Sequence, residues 1–257
     1  MTDNLTIFTE IDNIIAKVDR FKNEPTFSQE IQERQNRRVA PLLNDNEILK
    51  TFAHLIAYSQ NANSELVEQL LKSEKFDKVF DNFEVDKVIG MNPCDIADIH
   101  WKSISVIRQQ AKLFHIISLA RKLKSIGSLA TILNDNTIPR QISNIEDIEI
   151  FWSGFNKLQK ILKAKKIPFF QSTTSLLHFL LTMGYDCVKP DLIVMRVAKK
   201  IKIVESEVGD KNFRLTVKTI QYYSLSRQIR PSIVDFHFLI DEGQRGAKKY
   251  VKTDFYA

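Results

Sequence analysis

The chain has 257 residues, of which 44% are hydrophobic and 26% charged, proportions that are typical of a globular protein and argue against a disordered or fibrous one. It contains only seven glycines, seven prolines and two cysteines, which argues against a many-stranded sandwich or barrel, a disulfide framework, a four-cysteine zinc site and an iron–sulfur cluster. The net charge of +6 is uneven, because residues 1–150 hold 18 basic and 22 acidic side chains whereas residues 151–257 hold 19 and 9, so an anionic partner is expected at the second part.

The first half of the chain shows the hydrophobic spacing of helices. We predict them at about residues 3–21, 28–40, 45–58, 66–71, 75–80, 84–91 and 93–100. The first should end before Asn23-Glu24-Pro25, because proline interrupts a helix, and Asp45 is placed to cap the third. The longest periodic run begins at Ser103 and ends at Gly127, which predicts one long helix there.

Helices also dominate the second half. We expect them at about residues 128–134, 145–163, 175–183, 193–201, 213–227 and 232–241. Asp191 can cap the fourth of these, and only residues 202–208 show weak strand propensity. Since neither a repeat nor a low-complexity segment is present, the sequence predicts an all-α protein.

The turn KAKKIPFFQSTT at residues 163–174 has the chemistry of a phosphate site. A helix that begins after a hairpin offers backbone N–H groups and the positive end of its dipole to an anion. Three lysines precede this helix and three hydroxyl side chains begin it, namely Lys163, Lys165, Lys166, Ser172, Thr173 and Thr174. The alternative is an ordinary corner in which the hydroxyls cap their own backbone.

The same turn and the residues around it resemble the helix-hairpin-helix DNA glycosylase superfamily. In that superfamily the hairpin reads approximately L-P-G-V-G-x-K-T-A, and V-D-x-x-V-x-R follows one helix later. Three groups of residues occupy matching positions: Ile167, Pro168, Phe170 and Thr174 in the hairpin, Asp191, Val194 and Arg196 in the second motif, and Ser59-Gln60-Asn61 at the superfamily's S-Q-N/A-T segment.

Within the superfamily the chain is most similar to the 3-methyladenine DNA glycosylase I family. Residues 51–91 resemble that family's early core in spacing, IRQQAK at 107–112 is similar to its I-R-x-x-x-K, and FQSTTSLLHFLLTMG at 170–184 to its F-V-G-T-T helix. The likeness covers about residues 45–200. It implies a monofunctional DNA glycosylase of base excision repair, which hydrolyses the N-glycosidic bond of a damaged, alkylated base flipped out of duplex DNA.

The resemblance implies a role for each matching residue. Asp191 would be the catalytic carboxylate, which stabilises positive charge on the sugar and deprotonates water. Gln60 would fill the gap left by the flipped nucleotide. The base pocket would be lined by Tyr58, Leu66, Trp101 and Trp152. The other DNA contacts would come from Lys163, Lys165, Lys166, Gln171, Ser172, Thr173, Thr174, Arg196, Lys199 and Lys200. Plain structural roles stay open: a helix cap for Asp191, core packing for the aromatics and solvated surface for the lysines.

The chain departs from the family at several positions. Phe169 and Gln171 replace the two glycines of the hairpin with which the superfamily binds a monovalent cation. Thr173 stands where strand-cutting members carry a lysine nucleophile, so no lyase activity is expected. Tyr58 replaces the glutamate with which the 3-methyladenine family reads its base. That family holds zinc near both chain ends, but no cysteine precedes Cys94 here, and we predict neither a metal nor a cofactor.

We expect one glycosylase-like unit with two lobes. About residues 45–150 would form one lobe, residues 1–44 with 151–257 the other, and the active site would lie in the cleft between them. Double-stranded DNA with a damaged base is the predicted partner. No apolar stretch reaches the roughly 20 residues of a membrane span and residues 1–10 do not read as a signal peptide, so we predict a cytoplasmic protein without a membrane or protein partner. A non-catalytic helix-hairpin-helix DNA-binding protein and a helical protein-interaction scaffold are the alternatives.

Overall fold

The computed structural model describes residues 2–42, 44–59, 62–126, 128–242, 247, 250 and 251, with side chains from residue 5 onward. These residues contain fourteen α-helices and no strand, which confirms the all-α prediction. None of the described helices is long and apolar enough to cross a bilayer.

The helices follow one another with short connections. In chain order they are α1 (Thr2–Val18), α2 (Pro25–Asn36), α3 (Asp45–Tyr58), α4 (Ser64–Lys72), α5 (Lys75–Val79), α6 (Val85–Val88), α7 (Pro93–Ile104), α8 (Ala111–Ile126), α9 (Leu129–Asn134), α10 (Ile145–Ala164), α11 (Thr173–Met183), α12 (Leu192–Lys200), α13 (Asp210–Arg227) and α14 (Pro231–Asp241). Single 3₁₀ turns follow α1, α5 and α7.

The first helix ends before Asn23-Glu24-Pro25, as expected, but other sequence expectations about these elements are wrong, each for a local reason. The second helix, expected from about residue 28, begins at Pro25, because the missing N–H of proline costs nothing at the first helical position. The run from Ser103 is two helices, because α7 ends at Ile104 and Arg108 adopts a left-handed φ of 72° before α8 begins. Residues 202–208 form bends and turns without a strand. Gly127 lies outside the described residues.

The chain divides into two compact units. The first unit comprises residues 1–40, 138–155 and 173–257, and the second comprises residues 41–137 and 156–172. In the first unit, α14 packs against α1, α2, α12 and α13. Most of its side chains are buried, because it is apolar on almost all sides, as expected for a helix in the centre of a helical core.

The second unit is built around α3, which packs against α4, α6, α8 and α9. Phe52 on α3 stacks on Phe170 with ring centroids 3.8 Å apart, and both rings are fully buried. Phe170 belongs to the turn after α10. The turn at residues 165–172, which we call the hairpin, is therefore anchored in the core of the second unit.

Three consecutive polar residues at the start of α3 cap three different helices. Asn44 caps α3, since its side chain accepts a hydrogen bond from the N–H of Glu47 at 3.1 Å. Asp45, predicted as that cap, instead accepts from two N–H groups at the start of α9 at 3.1 and 3.2 Å. Asn46 accepts from the first N–H of α6 at 2.9 Å. Each such cap contributes about 1 kcal/mol to stability.

Candidate functional site

The first part of the hairpin is a regular helix ending. The N–H of Ile167 donates to the carbonyl of Leu162 at 3.0 Å, and the N–H of Lys166 donates to the carbonyl of Lys163 at 2.9 Å. These two bonds are the Schellman arrangement, in which the residue after the cap takes a left-handed conformation. Lys166 takes it with φ of 53°. A lysine therefore occupies the position that glycine usually fills.

Phe169 turns the chain at the first of the two glycine positions. Its φ is 68°, and the N–H of Phe170 donates across it to the carbonyl of Pro168 at 2.8 Å. The backbone thus keeps the left-handed conformation that glycine would adopt freely, at a cost of about 1 to 3 kcal/mol. The edge-to-face contact of Phe169 with Phe170, at 5.1 Å between centroids, holds the strained residue in place.

Gln171, at the second glycine position, ties the hairpin together through its side chain. Its Nε2 donates to the carbonyl of Ile167 at 2.7 Å, and Nε2 of Gln159 on α10 donates to the carbonyl of Gln171 at 3.0 Å. A cation in the hairpin would need carbonyl oxygens as ligands, and an N–H donor at the same oxygen repels it. The residues present do not fit a hairpin cation, because side-chain amides already bind these carbonyls.

Three lysines at the end of α10 and the start of the hairpin, which we call the hairpin lysines, carry positive charge at this turn. Lys163 and Lys166 are exposed and Lys165 is half-buried. None of the three forms an ion pair with a described residue. Their positive charge is available to an anion, and Ser172, which is also exposed, follows them in the same unit.

The start of α11 lies in the first unit and is closed by internal bonds. The side chain of Thr173 is buried at 3% exposure, and its hydroxyl donates to the carboxylate of Asp210. Arg214 donates to the same hydroxyl at 3.4 Å and to Asp210 at 2.6 Å. The Thr173 hydroxyl, predicted to contact DNA, is therefore engaged inside the first unit. Thr174 beside it is half-buried.

Asp191 begins α12 as its cap, as predicted. Its Oδ1 accepts hydrogen bonds from the N–H groups of Ile193 at 3.1 Å and Val194 at 3.2 Å. Its Oδ2 lies 3.7 Å from Nζ of Lys189, a distance too long for a hydrogen bond, and the side chain is 37% exposed. One oxygen is thus fixed by the helix while the other lies near a positive charge.

Two ionisable groups of the first unit have strongly shifted pKa values. The pKa of Asp235 is raised to about 6, mainly by burial and also by the charge of Asp191, although its partner Arg34, whose Nη1 donates to it at 3.1 Å, opposes the rise. The pKa of His178 is lowered to about 3, mainly by burial and also by the charge of Lys189. His178 is therefore neutral at physiological pH and cannot serve there as a cationic acid.

The cations predicted on α12 differ in their surroundings. Arg196 is half-buried and forms no ion pair with a described residue. Nζ of Lys199 lies 3.7 Å from Glu207, and Nζ of Lys200 lies 3.5 Å from Asp241. The side chains of Lys199 and Lys200 are 53% and 61% exposed, so an anion can reach both of them, although the carboxylate of Asp241 is itself buried.

The four residues predicted for the base pocket lie in both units. Tyr58 ends α3 half-buried, Leu66 on α4 is 44% exposed and Trp101 on α7 is half-buried, all in the second unit. Trp152 is buried in the first unit, where its Nε1 donates to Oε1 of Gln221 at 2.9 Å. The contacts recorded for Trp152 are those of a core side chain with its N–H satisfied.

Lys112 is the last residue of the IRQQAK motif, and the sequence predicts no specific role for it. It is buried on α8, and its Nζ donates to the carbonyls of Ala57 at 3.0 Å, Ser59 at 2.7 Å and Ile107 at 2.7 Å. Two of these carbonyls flank Tyr58. Lys112 therefore fixes the end of α3, just before the position of Gln60, which lies outside the described residues.

The structure thus groups the predicted residues within each unit. Tyr58, Leu66, Trp101, the hairpin lysines, Gln171 and Ser172 belong to the second unit, and the remaining described residues belong to the first. In the described part of the chain, no cluster of three or more His, Cys, Asp or Glu side chains could hold a metal ion.

Comparison with known proteins adds two findings. A family model described as methyladenine glycosylase matches residues 39–185, more than half of the chain; the match contains the hairpin and Tyr58 and ends before Asp191. The solved 8-oxoguanine DNA glycosylase of Thermotoga maritima is similar with a TM-score of 0.60 and 11% identity, over 90% of this chain and 96% of that one. At this identity the likeness shows the fold, which confirms the helix-hairpin-helix glycosylase type. A search of curated proteins found no match.

Proposed function

Because the chain belongs to the methyladenine glycosylase family, it is a DNA glycosylase of base excision repair, and we propose that it removes an alkylated base from duplex DNA by hydrolysis with Asp191 as the catalytic carboxylate. The observation that carries this assignment is the geometry of Asp191. Two backbone N–H groups of α12 hold Oδ1, and Oδ2 is left without a hydrogen-bond donor among the described residues.

The reaction needs a negative charge near the sugar. When the bond between the base and C1′ breaks, its electrons leave with the base and positive charge develops on the sugar. Oδ2 of Asp191 would stabilise that charge and accept a proton from the water that attacks C1′. Alkylation weakens the bond to C1′ and makes the base a better leaving group, so this carboxylate is the main catalytic group required.

The positive charge of the hairpin lysines supports a contact with the phosphate backbone of DNA. Lys163, Lys165 and Lys166 would meet backbone phosphates, each contact releasing counterions from the duplex. Their contribution is independent of sequence and weakens with salt. Gln171 would act through the hairpin, by holding its backbone in the conformation that presents these side chains.

Tyr58 supports recognition of an extruded base. An aromatic ring can stack on a flipped base and offset part of the cost of extruding it, a few kcal/mol. Tyr58 suits this role because Lys112 fixes the carbonyls of the residues on both sides of it. A rigid ring loses less entropy on binding than a mobile one. Leu66, exposed on α4, would add an apolar surface for the base.

We propose that the enzyme does not cut the DNA strand. Strand cleavage by this superfamily requires an amine that attacks C1′, and the corresponding residue is Thr173. Its hydroxyl is buried and bonded to Asp210. Incubation with an abasic duplex and borohydride should give no trapped protein–DNA adduct, and a trapped adduct would overturn this part of the proposal.

The test of the proposed function is release of free methylated base from an alkylated duplex. The substitution Asp191→Asn should lower the rate about 10²- to 10⁴-fold, because it removes the charge and the proton acceptor. Asparagine also caps helices well, so the fold should survive. The rate is measured under single-turnover conditions, which report the chemical step.

Asp45 provides a matched control. Its Oδ1 accepts from two backbone N–H groups, those of Leu129 and Ala130, with the same distances as in Asp191, but it caps a helix of the second unit. Asp45→Asn should leave base release unchanged. Equal rates for Asp191→Asn and the native protein would overturn the catalytic assignment. Binding that weakens with salt, without any base release, would instead identify a non-catalytic DNA-binding protein.

A further inference from the structure

A cavity in the first unit lies between the ends of several segments and is not lined by Asp191. Its volume is about 240 Å³, and it is lined by Arg37, Arg38, Arg140, Gln141, Gly184 and Arg230 together with Val39. No acidic side chain is among these lining residues. We call it the arginine cavity.

Arg230 lines this cavity, but its N–H groups are all bonded to oxygen atoms of the protein. Its Nε and Nη2 lie 2.8 and 2.7 Å from Oδ1 of Asp186, which neutralises its charge. Nη2 also donates to the carbonyl of Gly184 at 2.7 Å, and Nη1 donates to the carbonyls of Arg34 at 3.1 Å and Arg37. Arg230 therefore fixes the backbone that carries Arg37.

The other three arginines carry unneutralised charge. Arg37, Arg38 and Arg140 are exposed, and none forms an ion pair with a residue that the structure describes. Gly184 allows the backbone of Arg38 to approach its own backbone closely. Its φ is 96°, and a Cβ at this position would lie 2.9 Å from the carbonyl oxygen of Arg38. Three like charges around one concave surface produce a positive potential that attracts anions.

A neighbouring cavity supplies a second observation. It has a volume of about 260 Å³ and shares Arg38, Gln141 and Arg230 with the arginine cavity. Ser224 also lines it, and its Oγ is buried without a hydrogen-bond partner in the described structure. A buried hydroxyl without a partner costs about 1 to 3 kcal/mol, so this neighbouring cavity, which Asp186 also lines, offers a group that a polar ligand or a water molecule would satisfy.

We propose that the arginine cavity binds a phosphate group. Guanidinium groups pair with phosphate oxygens through two parallel N–H bonds, and arginine is the preferred residue for this contact. A volume below the roughly 300 Å³ of typical small-molecule pockets fits a compact oxyanion better than a whole nucleotide.

This phosphate position lies at a different point of the chain from the hairpin. Gly184 follows the last residue of α11, whereas the hairpin precedes its first residue. The phosphate could belong to the DNA backbone, which rests on the proposed function, or to a small phosphate compound, which does not.

The test compares two double variants of the full chain. Arg38→Gln with Arg140→Gln removes two unpaired charges of the cavity, and Lys22→Gln with Lys102→Gln removes two exposed charges that line neither cavity. Calorimetric titration with inorganic phosphate measures the cavity directly. The arginine variant should raise the dissociation constant at least tenfold, and the lysine variant should leave it unchanged.

Binding of an undamaged duplex at several salt concentrations identifies the source of the phosphate. If a backbone phosphate occupies the cavity, the arginine variant should reduce the slope of log K against log salt by about 0.9, the contribution of one neutralised phosphate. An unchanged slope with weaker phosphate binding supports a small phosphate compound. Unchanged phosphate binding, or an equal loss in the lysine variant, overturns the proposal.

Two controls separate this result from other failures. Arg140→Gln alone, at an exposed residue, should still weaken phosphate binding if the double variant does not fold. Base release by the arginine variant at saturating DNA should equal that of the native protein. Loss of phosphate binding with normal base release would show that the substitutions affect the cavity alone. Absence of base release by the native protein would instead contradict the glycosylase proposal.

Discussion

Each unit contains a buried cation that binds backbone carbonyls. In the first unit Arg230 donates to the carbonyls of Arg34, Arg37 and Gly184. In the second unit Lys112 donates to those of Ala57, Ser59 and Ile107. Both cations fix a segment beside a proposed binding site, the arginine cavity in one case and Tyr58 in the other.

The two cations differ in what balances their charge. Arg230 is paired with Asp186, whose second oxygen accepts the N–H of Ile142 at 2.9 Å. Among the described residues, Lys112 has only carbonyl dipoles as partners. The pKa of Lys112 is lowered to about 8, mainly by burial and also by the charge of Arg108. A buried cation without an anion thus keeps its place through dipoles, but its protonated form is less favoured than in water.

This comparison shows two ways of holding a polypeptide segment near a site. A paired guanidinium leaves a buried carboxylate behind when it is removed, so its loss should be more damaging. An ammonium bound only to carbonyls leaves unpaired dipoles, a smaller penalty. Substitution of each cation by methionine measures the difference directly.

The largest effect is expected for Arg230→Met. The substitution leaves Asp186 buried without its partner and three carbonyls without their donor, and it should lower the free energy of unfolding by about 4 kcal/mol. Denaturant unfolding of the full chain measures this value. The double variant with Asp186→Asn should lose clearly less than the sum of the two single losses. Additive losses would show that the two residues are not coupled as the geometry indicates.

Lys112→Met should lower the free energy of unfolding by about 3 kcal/mol, because three carbonyls lose their donor but no buried anion is left. The loss should be accompanied by weaker release of methylated base if the end of α3 positions Tyr58. Leu113→Met, at the next buried position of α8, is a volume-conserving control and should cost less than about 1.5 kcal/mol.

The same variant tests the pKa of Lys112. The pKa of Lys112 is about 8 in the folded protein and 10.5 for an ordinary lysine side chain, so the unfolded chain binds more protons between these two pH values. The stability of the native protein relative to Lys112→Met should therefore rise between pH 8 and 10.5. A difference that shrinks with rising pH would show that the carbonyl dipoles outweigh burial.

Features that depend on neighbours in the sequence were predictable. The apolar spacing predicted the helices, and the preference of aspartate for helix starts predicted the cap at Asp191. The order of the hairpin and Asp191 motifs predicted the family, to which the matched residues 39–185 belong. Local chemistry and motif spacing were sufficient for these features.

Features that depend on distant partners were not predictable. Lys112 binds a carbonyl 55 residues earlier, and Asp45 caps a helix 84 residues later. The hydroxyl of Thr173, which local chemistry assigns to a phosphate contact, donates a hydrogen bond to Asp210 instead. In each case the residue type was compatible with several partners, and only the tertiary packing selected one.

The smallest effect in this series is expected for Gln171, a neutral donor. Its Nε2 binds the carbonyl of Ile167 as Lys112 and Arg230 bind theirs, but no charge is buried, so Gln171→Ala should lower the free energy of unfolding by only about 1 kcal/mol. The amide also makes a hairpin cation unnecessary. Duplex binding by the native protein should therefore be equal in potassium chloride and tetramethylammonium chloride at the same concentration. Binding that is several times tighter in potassium would show that the hairpin holds a cation, and that the carbonyl of Ile167 is released by Gln171 when it does.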